Sequence, residues 1–306
     1  MSKAEGADSN APAIRAVANA EPAQWFIDAL DPSFSTVGGL VPARYEAYAR
    51  ILHPAWRVSR DGEGTVRSPM RWSEVATIRS TKAHRLMQWS GVWTLPAFDD
   101  SAIDACVDAG LAPIACPDEG RLPREVAGPL HDLLAGHTHR PGECWFGVWP
   151  GYGIGYRAGV PETQRVATSN RQWDVFRAPL EALSYGFLDE PFGDPSFYQT
   201  ANIVWPEDRS WCVHTEIDLM CTYVGGPESL ILKILGSPRL EAHAADPRDG
   251  FWEHDPVNGP GCESRDRIGL IPGNDPFEVG LGERVARVVH GLLQRIRGRS
   301  GVIRPL

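Results

Sequence analysis

The chain is poor in lysine: of its 30 basic residues only Lys3, Lys82 and Lys233 are lysines, and the rest are arginines. Together with 31 glycines and 26 prolines, this bias matches a GC-rich bacterial coding sequence. The 39 acidic residues leave a net charge of −9, which argues against a general nucleic-acid binder, because phosphate binding rests on clustered positive charge that releases counterions. No stretch approaches the roughly 18 consecutive apolar residues of a membrane span, and the first twenty residues hold no apolar run of signal-peptide length. The sequence therefore predicts a soluble, cytoplasmic protein with no membrane span. The cysteines, Cys106, Cys116, Cys144, Cys212, Cys221 and Cys262, include no CxxC pair, and in a long chain without a signal sequence they are expected to stay reduced. The patterns GxSxG, GxxxxGK[ST], HExxH and the EF-hand loop are missing too, which removes support for the commonest motif-borne enzyme classes.

What is present is globular in composition, 42% hydrophobic and 23% charged, and long enough for a sizeable core. Residues 1–20 are rich in Ala, Ser, Asn and Gly without apolar periodicity and read as a disordered tail. Residues 21–306 read as a single α+β domain, with a sub-boundary near residues 115–121 (ACPDEGR) as the alternative. Helical spacing is found at Trp25, Phe26, Ala29 and Leu30, then at Tyr45, Tyr48, Ala49 and Leu52. Trp72, Val75 and Ala76 open a short helix, and Val126, Leu130, Leu133 and Leu134 share one side of a longer one that Gly136 ends. Beyond it the period changes to that of strands, at Cys144 to Trp149, Gln172 to Arg177, Asn202 to Trp205, Trp211 to Tyr223 and Leu240 to Ala244. Short helices fall between them at Leu180 to Tyr185 and Glu228 to Leu235. The clearest helix is Glu283 to Arg297, whose stripe Val285, Val288, Val289, Leu292, Leu293 and Ile296 is expected to pack on the sheet. Strands without regular βαβ spacing predict a mainly antiparallel sheet flanked by several helices.

The densest chemistry lies in SWCVHTEIDLMCTYVGG, residues 210–226. Read as one strand, it puts Cys212, His214, Glu216, Asp218 and Met220 on the face opposite Trp211, Val213, Thr215, Ile217 and Leu219. Alternate positions lie about 6 to 7 Å apart, a spacing that suits an acid–base pair or two ligands of one ion, though a solvated sheet face has the same pattern. Asp is depleted in strands, so the row is expected to border a cleft. His214, Glu216 and Asp218 are thus the candidate catalytic residues. His137 and His139, two apart in a loop, complete a candidate metal set with His214 and Glu216; two histidines alone supply half a tetrahedral shell. For ligand binding the candidates are Trp149 and Tyr152 of an aromatic strand that runs into a glycine turn, with Trp205, Glu216 and Arg209, whose guanidinium suits a carboxylate. The glycines of GYGIG lack the following helix N-terminus that a phosphate loop requires.

WPEDRSWCVHTEIDLMCTYVGG resembles a segment of uncharacterised proteins from high-GC actinobacteria, a family with no assigned activity, so the likeness implies origin alone. LVPARYEAYARILHP, followed later by CWFGVW, resembles SUKH-type immunity domains, α+β proteins that bind partners without catalysis. The chain departs from that pattern at His53-Pro54, and the likeness assigns no residue a role. Two functional readings follow. One is a non-catalytic binding protein for a protein partner or small ligand, with no cofactor. The other is a metal-assisted hydrolase in which a divalent ion held by the His/Glu/Asp set activates water.

Overall fold

A computed structural model gives the fold and describes residues 13–17, 21–62, 64–92, 107, 113–153, 165–169, 171–185, 199–251 and 255–258. Twelve strands lie among the described residues. They are β1 (Arg15–Ala16), β2 (Ala47–Leu52), β3 (Ala55–Asp61), β4 (Gly64–Met70), β5 (Ile114–Ala115), β6 (Cys144–Val148), β7 (Val166–Ala167), β8 (Gln172–Ala178), β9 (Ile203–Pro206), β10 (Cys212–His214), β11 (Cys221–Gly226) and β12 (Ala242–Ala245). The fold is α+β and every strand pairing is antiparallel. Among the described residues no helix is long and apolar enough to cross a membrane.

The chain divides into two compact units, Met1–Pro54 with Pro117–Glu253, and Ala55–Cys116 with His254–Leu306. The first is built on a nine-stranded sheet of order β1-β8-β6-β9-β10-β11-β2-β12, with β7 paired to β8. Alternation along the strands sends Ile51, Phe146, Phe176, Val204, Val213 and Val224 to one face. There they share a core with Val126, Leu130 and Leu134 of the helix Arg124–Ala135 and Leu230, Ile231 and Ile234 of the helix Glu228–Leu235. The opposite face is covered as well. Trp205 stacks on Phe26 of the helix Gln24–Asp28 at 5.7 Å, and His214 Nδ1 donates to the Leu40 carbonyl. Register carries a polar row across this face, His214 to Tyr223 to Arg50 to His243.

In the second unit β4, β3 and β5 form a three-stranded sheet, over which Val58, Val107 and Ala115 cluster. The helix Trp72–Arg79 packs Trp72 against Trp89. The buried Asp255 carboxylate accepts hydrogen bonds from His84 Nε2, the backbone N–H groups of Gln88, Val257 and Asn258, and the Asn258 amide.

Two elements differ from the sequence expectation. Tyr45 to Leu52 is not helical, because Ala47–Leu52 is the strand β2, hydrogen-bonded on one edge to β11 and on the other to β12. A strand buried on both faces has no clean period-two signal, so its spacing imitates a helix. The row from Trp211 to Tyr223 is not one strand. It is a hairpin, β10 and β11, whose connection holds Glu216 and Asp218. The predicted helix Glu283 to Arg297 lies outside the described residues.

Candidate functional site

The connection between β10 and β11 turns at Ile217 and Asp218, where the alternation of the strand ends. Glu216, fully buried, turns its carboxylate toward Arg171 at the start of β8. Arg171 Nε donates to Glu216 Oε1 at 2.9 Å and Nη2 to Asp218 Oδ2 at 2.6 Å. The second Glu216 oxygen accepts the Asp218 N–H at 2.6 Å, so the turn closes on its own side chain as an Asx-type loop does. The Arg171 guanidinium also lies over the Phe34 ring at 5.6 Å. Burial pushes the Glu216 carboxyl above the usual carboxylate range, against the pull of the Asp218 N–H and of Arg171. Desolvation and, after it, the Asp218 charge push Glu119 up too, which places three carboxylates in one field.

Arg171 is also one wall of an open groove of about 510 Å³, lined by Trp149, Gly151, Thr168, Ser169 and Gln172 among others. The Trp149 indole is half-buried and meets the edge of Tyr152 at 5.1 Å. It lies so close over Gly151 that any Cβ there would overlap the ring. Glycine at 151 is thus what lets the aromatic wall lie flat.

Behind the groove a buried polar lattice fixes its frame. The Gly120 carbonyl accepts from Tyr152 Oη, Gln199 Nε2 and Asn202 Nδ2, and Asn202 Oδ1 accepts the Trp149 N–H. His53 Nδ1 donates to the Asp118 carbonyl at 2.6 Å, so its Nε2 accepts from the Thr222 hydroxyl, which in turn accepts from Thr215. Burial lowers both His53 and His214 to about 4 and keeps both rings neutral at pH 7. Burial raises the Cys212 thiol, and pushes Cys144 up to about 12, so neither supplies thiolate. The described cysteines, Cys116, Cys144, Cys212 and Cys221, are all free.

The structure brings Glu216 and Asp218 together and sets Trp149 and Tyr152 beside the groove, but it scatters the other candidates. Trp205 is core, stacked between Phe26 and Trp145. Arg209 lies over the Trp25 ring at 5.1 Å, while the two carboxylates before it in sequence are engaged elsewhere, Glu207 with Trp145 and Asp208 with Thr138. His214 is buried under Leu40, its Nε2 without a hydrogen-bond partner. His137 Nδ1 donates to the Leu133 carbonyl, and the His139 N–H donates to Asp208 in the β9–β10 turn. That turn and the Glu216 turn lie at opposite ends of β10, so the proposed His137, His139, His214 and Glu216 set does not converge. Among the described residues no group of three or more His, Cys, Asp or Glu is placed to hold a metal ion.

Sequence reading missed Arg171, Ser169 and Gln172, the polar side of the groove. The signal was the polar stretch from Thr168 to Gln172 directly before an aromatic strand, a turn-forming run of the kind that carries binding residues. No family model, curated protein or solved structure matches the chain.

Proposed function

We propose that the first unit is a binding module whose ligand enters the groove between Trp149 and Arg171. The observation that carries this reading is the groove itself: an aromatic wall held flat over Gly151 faces a guanidinium fixed by Glu216, Asp218 and Phe34. Rigid polar groups around an apolar surface lose little entropy on binding, which is the usual build of a small-molecule site. A non-catalytic role is supported by the neutral, buried histidines and the raised thiols. None of these side chains lines the groove. A thermal-shift screen of water-soluble metabolites against the full chain and Trp149→Ala tests the reading. A ligand that raises the Tm of the parent and not of the variant is expected; ligands that stabilise both equally, or no ligand at all, would overturn it.

A further inference from the structure

Resting on that reading of the groove, we infer that its ligand is uncharged and hydroxyl-rich, a short saccharide. Arg171 is balanced by Glu216 and Asp218, with Glu119 in the same field. The guanidinium at the groove is already neutralised by the carboxylates bonded to it, so it offers an anion no net positive charge, and no carboxylate lines the groove to hold a cation. Neither sign of charge is favoured there, and an uncharged ligand meets no such obstacle.

Among the described residues Arg171 Nη1, Asp218 Oδ1, the Ser169 hydroxyl and the Gln172 amide have no hydrogen-bond partner. The Thr168 hydroxyl, by contrast, is used internally by Trp173 Nε1 and the Arg171 carbonyl. The paired Arg171 and Asp218 therefore keep both kinds of group, the N–H donors of Nη1 and the Oδ1 acceptor, on a single unit. A hydroxyl both donates and accepts and satisfies the two at once, whereas a carboxylate uses only the donor and an ammonium only the acceptor.

A pyranose carries C–H groups on its faces and hydroxyls on its rim, which matches an indole wall with Arg171, Ser169 and Gln172 around it. The cavity, about 510 Å³, has room for two or three sugar rings.

The test is calorimetric titration and saturation-transfer NMR of the full chain with maltotriose, cellotriose and chitotriose, with citrate and spermidine as charged probes. At least one trisaccharide is expected to bind at millimolar concentration or below, with saturation strongest on its ring C–H protons. Gln172 and Ser169 are exposed, so Gln172→Ala and Ser169→Ala should stay folded by circular dichroism and weaken that binding by about tenfold each. Trp149→Ala should abolish it. If only citrate or spermidine binds, and Trp149→Ala removes that binding, the saccharide assignment falls while the groove stands as the site. If a trisaccharide binds equally well to all three variants, both the assignment and the groove reading fall. If no trisaccharide binds the parent chain, the assignment falls, and the groove reading is decided by the metabolite screen.

Discussion

Two glycines mark the difference between a residue that holds the frame and one that shapes the site. Gly120 has φ of +71°, and a Cβ there would overlap the backbone carbonyl of Ile217. Backbone cannot step aside, and the left-handed conformation penalises any side chain, so Gly120→Ala should cost about 3 kcal/mol or more by urea denaturation. At Gly151 the obstruction is the half-buried Trp149 ring, a side chain and not backbone. Gly151→Ala should leave the urea midpoint nearly unchanged and still displace the indole, visible as altered Trp149 resonances and lost ligand binding. At Glu216 the issue is charge. Its carboxylate is fully buried against a largely buried Arg171, and removing one member of such a pair strands the other, so Glu216→Ala should destabilise by about 3 kcal/mol. Equal stability of that variant would show that solvent already screens the pair.

At the scale of elements, the segment around Asp255 in the second unit is held by one carboxylate. Burial alone would raise its pKa, yet the hydrogen bonds from Asn258, Val257 and Gln88 outweigh it and hold the carboxyl below its ordinary value. Gly91 leaves no room for a Cβ against this side chain, and Asn258 also pairs with both the N–H and the carbonyl of Lys82. Asp255→Ala would strand five donors, and a loss of about 3 kcal/mol is expected, with faster hydrogen exchange in Trp72–Arg79. Because the folded pKa is depressed, the stabilisation is complete above the unfolded value of about 4 and disappears as pH falls through the lower folded value. Loss of Trp72–Arg79 protection already at pH 6 would contradict this.

Over the whole molecule, acid sensitivity should begin earlier and from a different source. His53 and His214 titrate at about 4 in the folded chain against an ordinary 6.5. Between those values the unfolded chain binds two more protons than the folded one, so stability falls as pH drops from about 6.5 to about 4, by up to about 3 kcal/mol per histidine. Urea midpoints measured across that range should decline with a slope of up to two protons, less what the raised carboxyls of Glu216 and Glu119 take up in the folded chain. His214→Gln, which keeps a donor for the Leu40 carbonyl, should reduce that slope by one. A flat profile between pH 6.5 and pH 5 would mean that the two rings are solvated rather than buried.

How much of this was legible beforehand follows from the range of the interactions. The helices Arg124–Ala135 and Glu228–Leu235, and the strands Cys144–Val148, Gln172–Ala178 and Ile203–Pro206, stand close to where periodicity placed them, because each buries one face or carries dense aromatic and β-branched residues. The sequence by itself determined the α+β class, the acidic charge and the aromatic strand that ends at Trp149. Only the tertiary structure decided that Ala47–Leu52 is a strand between two others, since burial on both faces erases the periodic signal. It also decided that the Cys212 to Asp218 row breaks into a turn. Arg171 meets Glu216 across 45 positions of chain. Strand register creates that meeting, and no local pattern encodes it, since the pairing of two strands depends on the whole sheet that aligns them.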